Sequence, residues 1–271
     1  MHRLRSFGPT ALLIAAAAGF SAAAEPATFL ELPYRYVIGG FRDGKWLTSE
    51  QAGKTIAPGA AFRLFTLKGE AGRVTARRAG PDVDVCPDVW IAALDTEPDE
   101  TPAIAVAAPW NPLPRPVKIA DNTVEVYVKA VAEILAGQGI RKPDVRITQH
   151  LRVDLDGDGE EEVLLAATHY PTADGEGSAP TASGPGDYSF VALRRVVDGR
   201  VVTQILDGEF YEKAQEFNAP NVHHVGGLLD LDGDGVMEIV LHSQYYEGGA
   251  TTLWKLGPKG AEKVLEIGCG V

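Results

Sequence analysis

A repeat restricts this chain more than any other feature. The segment from Leu151 to Tyr170 aligns without a gap to the segment from Gly227 to Tyr246, 76 residues further on. In each copy an apolar run enters an Asp/Gly-rich loop, Asp154–Glu162 or Asp230–Glu238, and a second apolar run leaves it. The likeness continues downstream. Tyr188–Val197, the turn Asp198-Gly199 and Arg200–Leu206 have the pattern of a β-hairpin; Thr251–Leu256, Pro258-Lys259-Gly260 and Ala261–Ile267 have it again. Each copy therefore predicts three or four antiparallel strands. One such sheet cannot bury both faces alone, so the copies should stack. The first copy carries an insertion, Pro171–Gly186, rich in Gly, Ser, Ala and Pro, and Asp207–Val222 joins the two.

Both loops read Asp-x-Asp-Gly-Asp-Gly-x-x-Glu. Asp154, Asp156, Asp158 and Glu162 take positions 1, 3, 5 and 9 of the first; Asp230, Asp232, Asp234 and Glu238 take them in the second. Alternate residues of a tight turn can point at one centre, and the glycines between them permit the angles such a turn needs. Four carboxylates around one point repel one another unless a cation intervenes. A hard divalent ion wanting six to eight oxygens fits, and calcium tolerates irregular geometry better than magnesium. The expectation is two calcium ions, with the backbone carbonyls of Glu160 and Val236 as further ligands. A metal-free Asp/Gly turn is the plain alternative, and the repetition of the same four acids weighs against it. An EF-hand would need a bidentate Glu at position 12 and a helix after it; position 12 is Leu165 or Leu241, and the following residues are strand-like.

This motif, running twice into an apolar strand, resembles the FG-GAP or VCBS repeats of integrin-type propellers and secreted bacterial proteins. The resemblance covers residues 147–268. It implies calcium held in a loop between strands of a blade. Two copies fall short of the four or so blades of a closed propeller, so a full propeller is not expected.

The beginning of the chain reads differently. Arg3 and Arg5, an apolar stretch from Ala11, and the small residues Ser21-Ala22-Ala23-Ala24 have the layout of a signal peptide over residues 1–24. Export to the periplasm or beyond follows, and no second apolar run is long enough to span a bilayer. The formal net charge of −12 argues against nucleic acid and against anionic membrane as partners. Cys86 and Cys269 are the only cysteines, and in an oxidising compartment two thiols tend to pair. Their disulfide would fasten the C-terminus to the other half of the chain.

Between the signal and the repeats, Phe29–Ile38, Phe62–Lys68 and Val89–Leu94 read as strands broken by Gly and Pro turns. Six prolines make residues 97–116 read as a linker. A helix is predicted over residues 121–138, capped by Asp121, Asn122 or Thr123, with Val124, Val128, Val131 and Leu135 on one face. The fold class is thus mostly β: an N-terminal β domain (residues 25–120) with one helix, plus a C-terminal antiparallel β domain of two blade-like repeats (residues 147–268).

Catalytic signatures are lacking. There is no nucleophile elbow, phosphate loop, dinucleotide fingerprint or metalloprotease motif. His223 and His224 lack partners at ligand spacing. His169, Tyr170, His242, Tyr245 and Tyr246 follow the loops and could line a sugar- or peptide-binding face, though strand residues of these types more often pack or face solvent. The sequence therefore points to an exported calcium-binding structural or interaction protein with a protein or carbohydrate partner. The alternative is a secreted hydrolase whose active site the sequence does not mark.

Overall fold

A computed structural model describes residues 26–96, 101–170 and 179–270; the signal-type segment at the start and the first half of the insertion lie outside them. The N-terminal half builds a barrel from β1 (Ala27–Leu32), β2 (Tyr36–Arg42), β3 (Lys45–Leu47), β4 (Ala60–Thr66), β5 (Gly69–Asp82), β6 (Cys86–Leu94) and β7 (Ala103–Ala107). The sheet order is β1-β7-β4-β5-β6-β2-β3, and β1 also pairs with β2, closing a ring of six strands. Alternation sets its two faces. Leu30 and Leu32 point inward with Phe62, Ala103 and Ala105, while Ala27, Phe29, Ile104 and Val106 point outward. The short helix α1 (Ser49–Gly53) adds Ala52 to the inner core. It begins with a capping box between Thr48 and Gln51.

Two departures from the sequence reading stand out. The proline-rich stretch is not a plain linker, because β7 lies inside it and pairs with β1 and β4. Its run Ala-Ile-Ala-Val-Ala is buried on both faces, so it shows no alternation. The second departure is α1, an extra helix in the N-terminal half.

The repeats follow. β8 (Lys118–Ile119), β9 (Ile147–Val153), β10 (Glu162–His169), β11 (Tyr188–Val197) and β12 (Arg200–Phe210) form one antiparallel sheet in the order β12-β11-β10-β9-β8. β13 (Val222–Leu229), β14 (Glu238–Tyr245), β15 (Gly248–Gly257) and β16 (Gly260–Gly270) form another, in sequence order. The internal repeat thus gives the same four-stranded unit twice. The mostly-β class stands.

The units stack in one direction. Leu151, Val153, Leu164, Val191 and Leu193 of the first sheet meet Leu228, Ile239 and Leu241 of the second in a shared core. The second sheet's other face, with Leu229, Val240 and Leu253, packs on the outward residues of the barrel. The first sheet's other face is covered by α2 (Glu125–Gly137) through Val131 and Leu135, which meet Val163, Leu165 and Phe190. The helix therefore serves the repeats rather than the barrel. It starts at Glu125, later than expected: Val124 is its N-cap and supplies no side-chain bond, because Asp121 caps a local turn at the Thr123 N–H and Oγ1 instead. Helix, blade, blade and barrel form four layers. The helix and barrel close the two faces that further blades would cover in a propeller, which is how two copies suffice.

Candidate metal centre

The acidic loops connect β9 to β10 and β13 to β14, and each is folded by its own carboxylates. In the first, Gly157 N–H donates to Asp154 Oδ1 at 2.7 Å and Gly159 N–H to Asp154 Oδ2 at 3.2 Å. Asp156 accepts from Asp158 N–H, Asp158 from Glu160 N–H, and Glu162 Oε2 from Leu155 N–H at 2.8 Å. The second loop repeats all five bonds with Asp230, Asp232, Asp234 and Glu238; its Val236 N–H donates to Asp234. Gly157, Gly159, Gly233 and Gly235 all have φ between 79° and 92°, the left-handed region that a side chain would strain.

Three carboxylates gather in each loop. Oxygens of Asp154, Asp156 and Glu162 lie within 4.8 Å of one another, as do oxygens of Asp230, Asp232 and Asp234. Ligands about 2.3–2.6 Å from a common calcium ion can be at most roughly 5 Å apart, so both groupings match its reach. Burial is graded within each loop. Glu162 and Glu238 are buried, whereas Asp156 and Asp158 are exposed. Burial, reinforced by the charges of Asp156 and Asp158, pushes Glu162 up, although the Leu155 N–H opposes this.

In the second loop a counter-ion is supplied by the chain. The ammonium of Lys255, on β15, contacts Asp232, reaches Asp234 Oδ2 at 2.7 Å and Glu238 Oε1 at 3.3 Å. Desolvation acts to lower Lys255, but its hydrogen bonds to Asp232 and Asp234 outweigh it and hold the ammonium protonated. Burial likewise acts to raise Asp234, yet the Lys255 and Val236 bonds keep it below its ordinary value. Glu238 does not escape: burial, with the charge of Asp232, pushes it up to about 8. Among the described ion pairs, none reaches Asp154, Asp156, Asp158 or Glu162; the nearby Lys118 and Arg152 both pair with Glu161. The donor set of the first loop therefore fits a divalent ion as it stands. In the second, the lysine occupies that role.

A strap crosses both loops, and the sequence reading missed it. Trp110 packs on Gly233 and donates Nε1–H to the Asp230 carbonyl at 3.0 Å. Asp230 N–H donates to the Pro112 carbonyl at 2.7 Å. Arg115 then donates to the carbonyls of Asp154, Leu155 and Gly235, the last two at 2.7 and 2.6 Å. Met237 N–H to Leu155 O, 2.8 Å, joins the loops directly. A tryptophan and an arginine inside a proline-rich stretch were the available signal.

The other residues singled out in the sequence do not form one face. His169 sits between Asp187 (3.3 Å) and Asp144 (3.4 Å). Tyr170 donates to the Asn221 carbonyl, and the His223 ring faces Asp207 at 3.6 Å. His224, His242, Tyr245 and Tyr246 lie elsewhere, beside the barrel. Cys86 and Cys269 are bonded, joining β6 to β16 with their Cα atoms 5.6 Å apart. No helix among the described residues is long and apolar enough to cross a membrane. Comparison with protein-family models, curated proteins and solved structures finds no match to this chain.

Proposed function

We propose that this is an exported calcium-binding protein, of the FG-GAP/VCBS-like kind, in which calcium rigidifies a non-enzymatic scaffold for a protein or carbohydrate partner. The observation that carries the reading is the first loop. Asp154, Asp156 and Glu162 converge within 4.8 Å with no ion pair on them among the described residues, an arrangement that gains free energy from a divalent cation. All these donors come from nine consecutive residues. Catalytic metals usually collect ligands from several elements and keep a position open, so the role assigned to calcium is architectural: bound there, it neutralises the loop and pins the end of β9 to the start of β10. The Cys86–Cys269 bond supports export, since disulfides persist in oxidising compartments.

Calcium titration by calorimetry, together with thermal unfolding in calcium and in EDTA, tests this reading. Calcium that binds only the folded protein must raise the melting temperature; an unchanged melting curve overturns it. Intact-mass analysis of exported material should show a chain beginning near Glu25.

One observation favours the alternative, a secreted hydrolase. Glu31, His242 and Thr251 converge away from the loops. Thr251 is 1% exposed, however, so its hydroxyl is not open to attack a substrate, and the scaffold reading is the stronger.

A further inference from the structure

A cleft of about 630 Å³ opens between the barrel and the second repeat, within the range of small-molecule sites. The turn between β1 and β2 forms one wall with Tyr34 and Tyr36, and the turn between β14 and β15 forms the other with Tyr245, Tyr246 and Glu247. Into it point Glu31, His242 and Thr251. Thr251 Oγ1 donates to Glu31 Oε2 and lies 2.9 Å from His242 Nδ1; that nitrogen is 3.5 Å from Glu31 Oε1.

Packing alone does not require this cluster, as the first repeat demonstrates. The ladder pairs Val163 with Arg194 in one copy and Ile239 with Trp254 in the other. His242 and Thr251 therefore correspond to Ala166 and Val191, which are fully buried in an apolar core. Where the first repeat meets its neighbour through an alanine and a valine, the second presents a histidine and a threonine to a buried carboxyl group. Burying polar groups costs free energy that only their mutual hydrogen bonds offset.

Charge and ring chemistry indicate what enters. No lysine or arginine among the described residues lines the cleft, while two glutamates do. Burial holds His224 and His242 down to about 4, helped at His224 by the neighbouring histidines, so neither contributes positive charge at neutral pH. Burial also pushes Glu31 up against the Thr251 hydrogen bond. A cation beside it would favour the ionised form, and an anion would oppose it. Tyr34 and Tyr246 are about half exposed, at 52% and 51%. Each is steadied by a second ring: Tyr34 stacks on Tyr36 with centroids 5.6 Å apart, and Tyr245 meets Tyr246 edge-on at 5.9 Å. Braced aromatic faces with carboxylates and no competing cation suit an ammonium group. Cys269 lines the same cleft, and its disulfide ties β16 of the second repeat to β6 of the barrel beside it, which limits the ordering that binding would demand.

We propose that this cleft binds a small organic cation, an amine or quaternary ammonium group seated between the tyrosine walls and above Glu31. The site is independent of the acidic loops. β14 runs from Glu238 at the loop to Tyr245 at the cleft, a span of roughly 20 Å.

Tetramethylammonium and n-butylammonium are the probes, with acetate and methyl glucoside as controls, followed by calorimetry and ligand-observed NMR on the whole protein. Both cations should bind at one site and both controls should fail. Tyr34→Ala and Tyr246→Ala, at exposed positions that the fold tolerates, should each weaken cation binding by about threefold to tenfold. Asp156→Asn and added EDTA should leave it unchanged, which separates this site from the calcium reading. Failure of both cations to bind, saturable binding of acetate or methyl glucoside in their place, or full affinity in the Tyr34→Ala/Tyr246→Ala double variant overturns the proposal.

Discussion

Loop 154–162 and loop 230–238 fold through the same five hydrogen bonds, yet among the described ion pairs only in the second does a lysine reach the converging carboxylates. The cause is position in the stack. By the ladder register, Lys255 corresponds to Arg195. Arg195 has a following repeat to bind, and donates to the carbonyls of Gly257 and Pro258 in its β15–β16 turn at 3.3 and 3.1 Å. The layer beyond the second repeat is the barrel, and Lys255 makes no such contact with a following turn among the described hydrogen bonds. It turns back into its own loop and offsets part of the charge of Asp232, Asp234 and Glu238. The repeated sequence thus determines the loop backbone, while the neighbours determine its charge balance. Among the described residues, no ion pair reaches the clustered acids of one copy, while the other carries an internal cation. This narrows the expectation of two equivalent calcium ions to one ready site and one that the lysine must vacate.

The repeats also differ in how their outer faces are held, and here the largest effect is expected. The first is covered by α2 without a covalent bond; the second is tied to the barrel across 183 residues of sequence. Removing that link in Cys86→Ser/Cys269→Ser should lower stability by about 5 kcal/mol in the chain-entropy account. Hydrogen exchange should show β6 and β16 losing protection before β10 and β11. Uniform loss across both repeats would break the comparison.

Next in size is Lys255→Met. The Asp232 side chain is only 6% exposed, and removing the partner of a buried charge costs about 3 kcal/mol. Calcium should rescue this variant, and calorimetry should count one more ion than in the parent. Unchanged stability, or no added ion, would mean that the lysine is not the second loop's counter-ion.

The third effect concerns the ion itself. At a hundred times its dissociation constant, calcium should stabilise the parent by about 2.7 kcal/mol. Asp156→Asn should abolish most of that, and Asp232→Asn should retain it. Equal losses in the two variants would make the loops equivalent after all.

The pH dependence separates the repeats in another way. By ladder register His224 and His242 correspond to Gln149 and Ala166 in the first copy, so only the second carries the pair. Their folded values lie near 4, below the ordinary 6.5. Between these limits the unfolded chain binds protons that the folded one does not, so their contribution is complete above pH 6.5 and is lost as pH falls toward 4. Near pH 5.5 the loss should be about 1 kcal/mol per histidine. Denaturant titrations of His224→Thr/His242→Ala should show a flatter acid limb than the parent; an identical limb would refute the assignment.

Legibility followed the period of each signal. The loops, the strands around them, both hairpins and the cysteine pair were readable because they are local, repeated or few. β7 was hidden by prolines on either side and by burial of both its faces. The first long run, Phe29–Ile38, divides into β1 and β2, since Pro33 to Arg35 form a turn. α1 left a usable trace, the Thr48–Gln51 capping box, that went unread. Lys255, Trp110 and Arg115 left none in the loop motif itself. What they do depends on strand register and on a strap more than a hundred residues from the second loop in sequence, and such pairings are set only when the sheets stack.

The smallest expected effect is at Arg195, and it tests the cause offered for the asymmetry. Its guanidinium bonds to two turn carbonyls at a partly exposed edge, so Arg195→Met should cost only about 0.5–1 kcal/mol. The informative measurement is calcium affinity. If the following repeat truly holds Arg195 away from its own loop, removing the charge leaves the first loop's affinity almost unchanged, because no ion pair there is broken. If affinity rises severalfold instead, the arginine samples the loop in solution as Lys255 does in the structure. The two copies would then differ in how often a cation visits rather than in whether one can. The complementary variant, Lys255→Arg, sharpens the same point: a longer, planar head group is a poorer fit to three carboxylates that a compact ammonium bridges. It should loosen the second loop's internal pair and bring its calcium affinity closer to that of the first.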